Sequence, residues 1–380
     1  MKSFKNVAVY LDGKVVENSS VSFDEKIAVI GDAQGEVINL PANAVVLPGF
    51  IDQHIHGAGG SDAMDGTVED LTIIANTVAA EGTTAFLATT MTQSKENITK
   101  AMNAVKCYRE SAPATGAELL GIHLEGPFIA EKFKGAQPLE YVVKPCVKTF
   151  DEYNEASGNA IKIVSLAPEI EGADVLIKHL KEQKIVPSIG HTGAGYAHIR
   201  SAIEAGASNV THTYNAQTPL HHREIGTVGS ALLCDELNSE LIADTIHVSV
   251  PAMQLLVKCK PEEKVTLITD AMRAKGLADG VSELGGQVVI VKNGEARLQD
   301  GTLAGSVLRM NRAVENVVKK VGVPFETAVR FATENPAKNL GVFDEMGSIA
   351  VGKKANFAVV DKDTFDVIMT VRNGKIVYQA

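Results

Sequence analysis

Short apolar runs of parallel-strand length recur along this chain and alternate with helical patterns. Eight such runs precede the last quarter of the sequence: Val46–His56, Thr84–Thr90, Leu119–Glu125, Ile161–Pro168, Ile185–His191, Asn209–Thr213, Leu241–His247 and Val265–Asp270. Several intervals carry an amphipathic helical pattern, as in Val68–Glu81, Glu96–Arg109, Ala173–Gln183 and Ala197–Gly206. Strands that alternate with helices indicate repeated β–α–β units and a parallel sheet. Eight units predict a closed (β/α)8 barrel, although an open doubly wound sheet has the same local pattern.

Reactive side chains stand at the carboxyl ends of six of these runs. They are His54 and His56, Glu125, His191, His212, His247 and Asp270. Any single one could be an ordinary polar strand end. The carboxyl ends of barrel strands share one mouth, where barrel enzymes hold their active sites, so six together favour the barrel. Residues two apart on a strand point to the same side, so His54 and His56 could both face one first-row metal ion.

Composition and charge limit the possible partners. The chain has 380 residues, of which 45% are hydrophobic and 22% charged, enough for one large domain and a small one. A net charge of −10 argues against nucleic acid or an anionic membrane as a general partner. Four scattered cysteines without a C-x-x-C spacing are typical of reduced thiols in a cytoplasmic protein. No apolar run has the length of a signal peptide or a membrane span.

Both ends of the chain carry alternating strand patterns with turn signals between them. Neither end has enough strands for a stable sheet alone. We therefore expect a small β-sandwich domain built from residues 1–47 and 349–380 together, with the barrel formed by residues 48–348. A further insert, Gly285–Gly305, has a hairpin pattern around Asn293-Gly294.

Several motifs resemble a known family. The segment Pro48–Gly57, which reads PGFIDQHIHG, resembles the metal-dependent amidohydrolases as a whole. Five other segments are similar to the narrower N-acetylglucosamine-6-phosphate deacetylase family: Gly121–Phe128 (GIHLEGPF), Gly190–Thr192 (GHT), Thr211–Ala216 (THTYNA), Leu267–Met272 (LITDAM) and Leu303–Ser306 (LAGS). The resemblance covers essentially the whole chain and implies removal of an acetyl group from an amino-sugar phosphate in amino-sugar catabolism and cell-wall sugar recycling.

The resemblance also implies a metal centre. Glu125, His191 and His212 match the ligands of the principal divalent metal, and His54 and His56 match those of a second metal that some members bind. The resemblance implies one or two ions per subunit. If two bind, Glu125 would bridge them, because Ala167-Pro168-Glu169 stands where related amidohydrolases carry a bridging lysine. Imidazole and carboxylate ligands suit zinc or iron.

Amide hydrolysis requires an activated water and a proton carrier. A bound metal lowers the pKa of water from ~15.7 towards ~7. Asp270 matches the residue that takes the proton from this water and passes it to the departing amine. Asp270 could instead be an additional metal ligand or the N-cap of a helix.

Substrate contacts are also implied by the resemblance. Asn215, the backbone of Ala216 and His247 would meet the phosphate, and Arg223 would reach the site of a neighbouring subunit in a homodimer. The stretch His221–Glu224 could equally be a solvated loop. The remaining implied contacts lie in two loops and comprise Ala136, Gln137, Leu303, Ala304 and Gly305.

Two positions depart from the family pattern. Gln137 stands where some relatives carry a histidine, so carbonyl activation would depend more on the metal. Thr245 stands where a glycine is frequent, which leaves open the backbone contact near Asp244. Two other functions remain open at this point: a barrel hydrolase for a cyclic amide or a nucleobase, and a non-catalytic barrel scaffold.

Overall fold

A parallel eight-stranded sheet forms the centre of the molecule. The computed structural model describes all residues from 1 to 380. We label the strands of this sheet β1 to β8 in chain order: Phe50–Ile55, Thr83–Thr90, Glu118–Glu125, Ile161–Leu166, Val186–Ile189, Asn209–Val210, Asn238–Ile242 and Val265–Ile268. Just beyond β8, the Asp270 N–H donates to the carbonyl of His54 in β1 at 2.8 Å. The predicted closed barrel is therefore confirmed, and the open sheet is wrong.

The helices surround the barrel and bury their apolar residues; Gly226–Leu233 is buried on nearly all sides. They span Val68–Ala79, Lys95–Ser111, Val147–Ala156, Ala173–Glu182, Tyr196–Ala205, Gly226–Leu233, Val250–Cys259, Met310–Asn316, Phe325–Ala332 and Glu334–Asn339. Thr67 and Ser94 cap the first two helices, because each hydroxyl accepts a backbone N–H three residues later. None of the helices combines the length and the apolar character that a membrane span requires.

One predicted strand is wrong. Val46–His56 is divided into Ala44–Pro48, which belongs to a second sheet, and β1 of the barrel. The division falls at Gly49, where a Cβ atom would lie 2.1 Å from the Thr84 hydroxyl, so a side chain does not fit. Strand β7 also begins and ends earlier than predicted, which places His247 in the loop that follows it.

The second sheet is built from both ends of the chain. Its strand order is Lys375–Gln379, Val367–Arg372, Phe357–Asp361, Ala44–Pro48, Lys2–Leu11, Lys14–Phe23 and Ile27–Ile30, with Glu36–Ile38 also paired to Lys2–Leu11. The rings of Phe4, Phe23 and Phe357 pack together in its core at centroid distances of 5.0–5.6 Å. This sheet agrees with the expected β-domain of both termini; the division at residues 47/48 and 348/349 stays a prediction.

The insert after β8 forms a sheet of its own above the barrel mouth. It contains four antiparallel strands, Gly280–Leu284, Gln287–Lys292, Glu295–Leu298 and Leu303–Ser306. It is therefore larger than the predicted hairpin. Its last strand joins the barrel, because the Ser306 N–H donates to the Asp270 carbonyl at 2.8 Å. The insert thus covers the end of the barrel where the reactive side chains converge.

Candidate metal centre and active site

Glu125, the last residue of β3, lies at the centre of a cluster of histidines. Its Oε1 atom is 3.0 Å from the Nε2 atoms of both His191 and His212. These two Nε2 atoms are only 3.1 Å apart. Its Oε2 atom is 3.1 Å from Nε2 of His56. The carboxylate of Glu125 thus lies between two groups of imidazoles, His191 with His212 and His54 with His56.

Asp270 adjoins the second of these groups. Its Oδ1 atom is 3.2 Å from Nε2 of His56 and 3.4 Å from Nε2 of His54. Nε2 of His54 also lies 3.6 Å from Oε1 of Glu125. It is fully buried and has no hydrogen-bond partner. Burying an unpaired polar atom is costly, so this nitrogen is suited to a ligand supplied from outside the chain.

Three of the four histidines are held in one orientation by acceptors behind them. An oxygen next to Nδ1 favours the tautomer with a proton on Nδ1, which directs the lone pair of Nε2 into the cluster. The acceptors come from separate parts of the chain: Oε2 of Glu240 for His54 at 3.1 Å, the carbonyl of Thr89 for His56 at 3.2 Å, and the carbonyl of Phe133 for His191 at 2.8 Å.

The electrostatics of the cluster favour bound positive charge. Burial raises the pKa of Glu125, but the imidazoles around it outweigh burial and hold that pKa well below its usual range. Burial likewise raises the pKa of Asp270, and His54 and His56 outweigh it to bring that pKa to about 2. Burial lowers the pKa of His56, whereas its bonds to Asp270 and Glu125 raise it to about 10. Two buried carboxylates with low pKa values therefore favour a cation within the cluster.

These residues fit a divalent metal. The ligand atoms of Glu125, His191 and His212 all lie within 4.8 Å of one another, as do those of His54, His56 and Glu125. Inward-facing imidazole nitrogens and a shared carboxylate are the donors that zinc and iron use in proteins. The site therefore has the donors of a divalent metal centre, and Glu125 is common to both groups.

Three residues of the site adopt left-handed backbone conformations. The φ angles are 48° for His191, 29° for His212 and 47° for Asp270. Residues with a Cβ atom rarely adopt such angles, and they concentrate at functional sites where the surrounding structure enforces them. Each of the three follows a barrel strand directly or within two residues, so the chain turns there into the barrel mouth.

A pocket of about 320 Å³ opens from the cluster to the surface. It brings together most of the residues predicted from the sequence. Its walls include His56, Glu125, Ala136, Gln137, His191, His212, Asn215, Ala216, His247, Asp270, Leu303 and Gly305. His54 lies behind the wall, fully buried.

The predicted phosphate-binding residues occupy two loops of this pocket. Ala216 has a φ of 50°, and its N–H donates to no group of the chain, so a donor is available there. His247 is fixed by Asp244, whose Oδ2 lies 2.6 Å from its Nδ1. Burial lowers the pKa of His247, but the Asp244 carboxylate outweighs it and raises that pKa. Thr245 adopts the left-handed φ of 69° that explains why glycine suits this position.

Gln137 faces the metal cluster. Its side-chain oxygen accepts the Thr92 N–H at 2.6 Å, which directs its NH₂ group to Oε2 of Glu125 at 3.1 Å. The side chain is buried. Gln137 therefore holds the shared carboxylate in place and also forms part of the pocket wall.

Two predicted contacts lie outside the pocket wall. Ala304 is fully buried within the insert, between Leu303 and Gly305, which do line the pocket. Arg223 is exposed, and its Nη1 atom is 2.7 Å from Nε2 of His222. The structure therefore does not bring Arg223 to the site of its own subunit.

Sequence reasoning missed two residues at this site. Glu240, in the middle of β7, is fully buried and accepts hydrogen bonds from four donors around the cluster. A carboxylate inside a buried strand was the only available signal. Lys132 is the one lysine or arginine in the pocket wall, and it lies in the short 3-10 helix Glu131–Phe133.

Comparison with known proteins identifies the family. The model of the amidohydrolase family matches residues 45–377. This covers the whole barrel and the C-terminal strands of the terminal sheet, but not its first four strands. The chain therefore belongs to the amidohydrolase family, as the motif of Pro48–Gly57 predicts.

Individual relatives narrow the assignment to the N-acetylglucosamine-6-phosphate deacetylases within that family. The chain is 44% identical to the N-acetylglucosamine-6-phosphate deacetylase of Bacillus subtilis (strain 168), over 98% of this chain and 96% of the relative. It is 39% identical to an N-acetylgalactosamine-6-phosphate deacetylase of Escherichia coli O157:H7, over 83% of this chain and 84% of that relative. A mutant N-acetyl-D-glucosamine-6-phosphate deacetylase of Mycobacterium smegmatis, solved in complex with N-acetyl-D-glucosamine-6-phosphate, superimposes with a TM-score of 0.93 at 29% identity, covering 100% of this chain and 99% of that one.

Proposed function

We propose that this chain hydrolyses the N-acetyl group of N-acetyl-D-glucosamine 6-phosphate to give D-glucosamine 6-phosphate and acetate. The observation that carries the proposal is the convergence of Glu125, His191, His212 and Asp270 on one pocket. Its biological role would be amino-sugar catabolism and cell-wall sugar recycling. It would act in the cytoplasm, where the four free cysteines stay reduced.

In the proposed centre, Glu125, His191 and His212 would hold one metal ion. Where a second ion binds, His54 and His56 would hold it, with Glu125 as a shared ligand. Zinc or iron is the proposed ion, since both accept imidazole and carboxylate ligands. When bound, the metal supplies Lewis acidity that favours deprotonation of water and polarises the acetyl carbonyl.

Asp270 is the proposed proton carrier. Its Oδ1 atom lies 3.2 Å from Nε2 of His56 at the pocket wall, so the carboxylate is placed to accept a proton from the attacking water. The leaving group of amide hydrolysis is a poor one unless it is protonated. Asp270 therefore returns the proton to the amine nitrogen as the carbon–nitrogen bond breaks, and acetate and the amino sugar are released.

The pocket walls orient the sugar phosphate. Asn215, the free N–H of Ala216 and His247 are the proposed phosphate contacts. The hexose would pack between the loop that carries Ala136 and Gln137 and the insert strand that carries Leu303 to Gly305. At Gly305 a Cβ atom would lie 3.1 Å from the Asp270 carbonyl, so this strand approaches the site closely only with glycine there.

A homodimer with shared sites completes the proposal. Arg223 is exposed and makes no ion pair with a carboxylate in its own chain. A guanidinium matches the geometry of a phosphate, so Arg223 is proposed to contact the phosphate bound to the partner subunit. Arg223→Met should raise KM for the phosphorylated sugar with little change in kcat, and sedimentation analysis should find a dimer.

The decisive assay measures acetate release from four substrates. These are N-acetylglucosamine 6-phosphate, its galactosamine and mannosamine counterparts, and unphosphorylated N-acetylglucosamine. The glucosamine phosphate should have the highest kcat/KM. A preference for the unphosphorylated sugar would contradict the proposed phosphate contacts, and a preference for the galactosamine isomer would reassign the substrate.

Two variants connect the reaction to the site. Asp270→Asn should keep the fold and the bound metal but lower kcat by about 10²–10⁴-fold, because it removes the proton carrier. Asp344→Asn, an exposed acid far along the chain, is the matched control and should retain normal turnover. Near-normal turnover of Asp270→Asn would remove Asp270 from the mechanism. Protein purified without chelator should contain a transition metal; its absence would favour a non-catalytic scaffold.

A further inference from the structure

A second cavity lies at the opposite end of the barrel from the metal cluster. Its volume is about 620 Å³, larger than that of the active-site pocket. Its walls include Glu118, the first residue of β3, and Lys162, the second residue of β4. Further walls come from the end of the helix Lys95–Ser111, from residues 340–346, from the turn at residues 25–26 and from residues 354 and 372–375 of the terminal part of the chain. The cavity therefore lies between the barrel and the sheet that both termini form.

This cavity carries an excess of positive charge. Six cationic and three acidic side chains line it, although the whole chain has a net charge of −10. Two of the acids, Glu118 and Glu345, are both paired with Lys354 at 3.1 Å. The remaining five cations make no ion pair within the chain: Lys26, Arg109, Lys162, Arg372 and Lys375. Cations gathered in a cleft concentrate anions there.

Arg372 is the most constrained of these cations. It is half-buried, and its Nη atoms donate to the carbonyls of Pro113 and Thr115 at 2.5 and 3.5 Å. Carbonyls orient a guanidinium but do not neutralise it. Its Nε atom and the hydroxyl of the neighbouring Tyr108, which is 2% exposed, both have no hydrogen-bond partner. Buried polar groups without partners are rare, and here they lie beside unpaired positive charge.

The cavity also has an apolar wall. Leu340, Met346 and Pro113 contribute to it, next to the cationic side chains. Its volume is within the range of pockets that bind small organic ligands, which are held by apolar surfaces and a few polar groups. Inorganic phosphate alone would leave this wall unused. A molecule with both an apolar ring and charged phosphates would contact both parts.

We propose that this cavity is a second ligand site, which binds an organic phosphate of nucleoside diphosphate size. The unpaired cations would contact the phosphate groups, and the apolar wall would contact the base. This site is separate from the metal cluster, because it lies at the amino ends of β3 and β4 whereas Glu125 lies at the carboxyl end of β3. The proposal holds independently of which sugar phosphate the enzyme deacetylates.

Titration calorimetry of the metal-loaded enzyme with ADP tests this site. ADP should bind, its affinity should fall as sodium chloride is raised from 50 to 300 mM, and adenosine should bind at least tenfold more weakly. The triple variant Arg109→Gln, Lys162→Gln, Lys375→Gln should weaken ADP binding at least tenfold. Its deacetylase kcat/KM should stay within twofold of the wild-type value, which also shows that it folds.

A matched variant controls for the loss of net charge. Lys148, Lys258 and Lys320 are exposed, make no ion pair and lie outside this cavity. Their triple replacement by glutamine should leave the ADP affinity within twofold. The proposal is overturned if wild-type enzyme does not bind ADP at millimolar concentration, if adenosine binds as tightly as ADP, or if the cavity variant retains wild-type affinity.

Discussion

Replacing Glu240 tests whether the polar interior of the barrel controls the metal centre. Its Oε2 atom is 3.1 Å from Nδ1 of His54 and 3.2 Å from the N–H of His212, and its Oε1 atom accepts from Gln53 at 2.7 Å and from Asn209 at 3.2 Å. All four donors point at one fully buried carboxylate. Both oxygens of Glu240 therefore help to orient the groups behind the metal cluster.

Glu240→Gln keeps the size of the side chain but replaces one acceptor by an NH₂ donor. If the NH₂ group faces His54, the Nδ1 proton of that imidazole loses its acceptor, and the tautomer that directs Nε2 to the metal is no longer favoured. Removing a hydrogen-bond partner that orients a metal ligand typically costs 10–100-fold in metal affinity, or about 1.4–2.7 kcal/mol. Leaving a buried donor unpaired costs about 1–3 kcal/mol of stability.

Chelator competition and denaturant unfolding measure the two effects separately. We expect Glu240→Gln to bind metal 10–100-fold more weakly and to lose about 1–3 kcal/mol of unfolding free energy. Glu236→Gln is the control, because Glu236 lies close by in the chain but is exposed and pairs with Arg200 at 2.8 Å. The control should stay within twofold of wild type. A folded Glu240→Gln enzyme with unchanged metal affinity would refute the role of the carboxylate.

Three further substitutions have distinct expected outcomes. Gln137→Leu removes the donor to Glu125, so kcat should fall more than tenfold while KM stays within threefold of wild type. If initial rates instead show a raised KM at unchanged kcat, Gln137 is a substrate contact. In the folded protein Nζ of Lys275 lies 2.7 Å from the carboxylate of the buried Glu81. Lys275→Met leaves that carboxylate without a cation and should lower the free energy of unfolding in urea by about 3–5 kcal/mol. The additional substitution Glu81→Leu should restore the stability. Burial lowers the pKa of Lys260 to about 8, against ~10.4 in the unfolded chain. The buried charge therefore destabilises the folded wild-type protein fully below pH 8, and this loss of unfolding free energy disappears as the pH rises to ~10.4. The stability of Lys260→Met relative to wild type should therefore fall across that pH range in unfolding experiments, and a constant difference would contradict the shift.

The barrel could be predicted because its strands are buried on both faces. Such strands appear as continuous apolar runs, and seven of the eight predicted runs correspond to one barrel strand each. The exception, Val46–His56, passes from one sheet to another at Gly49. Hydrophobicity does not change there, so periodicity has no signal for the transition. The obstruction that requires glycine is the Thr84 side chain, which is distant in sequence.

Only the side chains that face the metal cluster directly could be predicted from the sequence. Histidines and carboxylates at strand ends are visible in a sequence, whereas the groups that orient them are not. Gln137 was expected to contact substrate, but Thr92, 45 residues away, turns its amide to Glu125. Glu240 was missed because His54, the imidazole that it orients, is 186 residues away. Chemical type can be inferred locally, but orientation depends on tertiary contacts.

The geometry of the site depends on closure of the barrel. A left-handed conformation costs a residue with a Cβ atom roughly 1–2 kcal/mol, and His191, His212 and Asp270 all adopt it. At Asp270 two backbone bonds hold that conformation: the N–H donates to His54 of β1, and the carbonyl accepts from Ser306 of the insert. The carboxylate that we propose as proton carrier is thus placed by the first strand of the barrel and by the sheet that covers its mouth. Loosening either contact should therefore reduce turnover before it affects the rest of the fold.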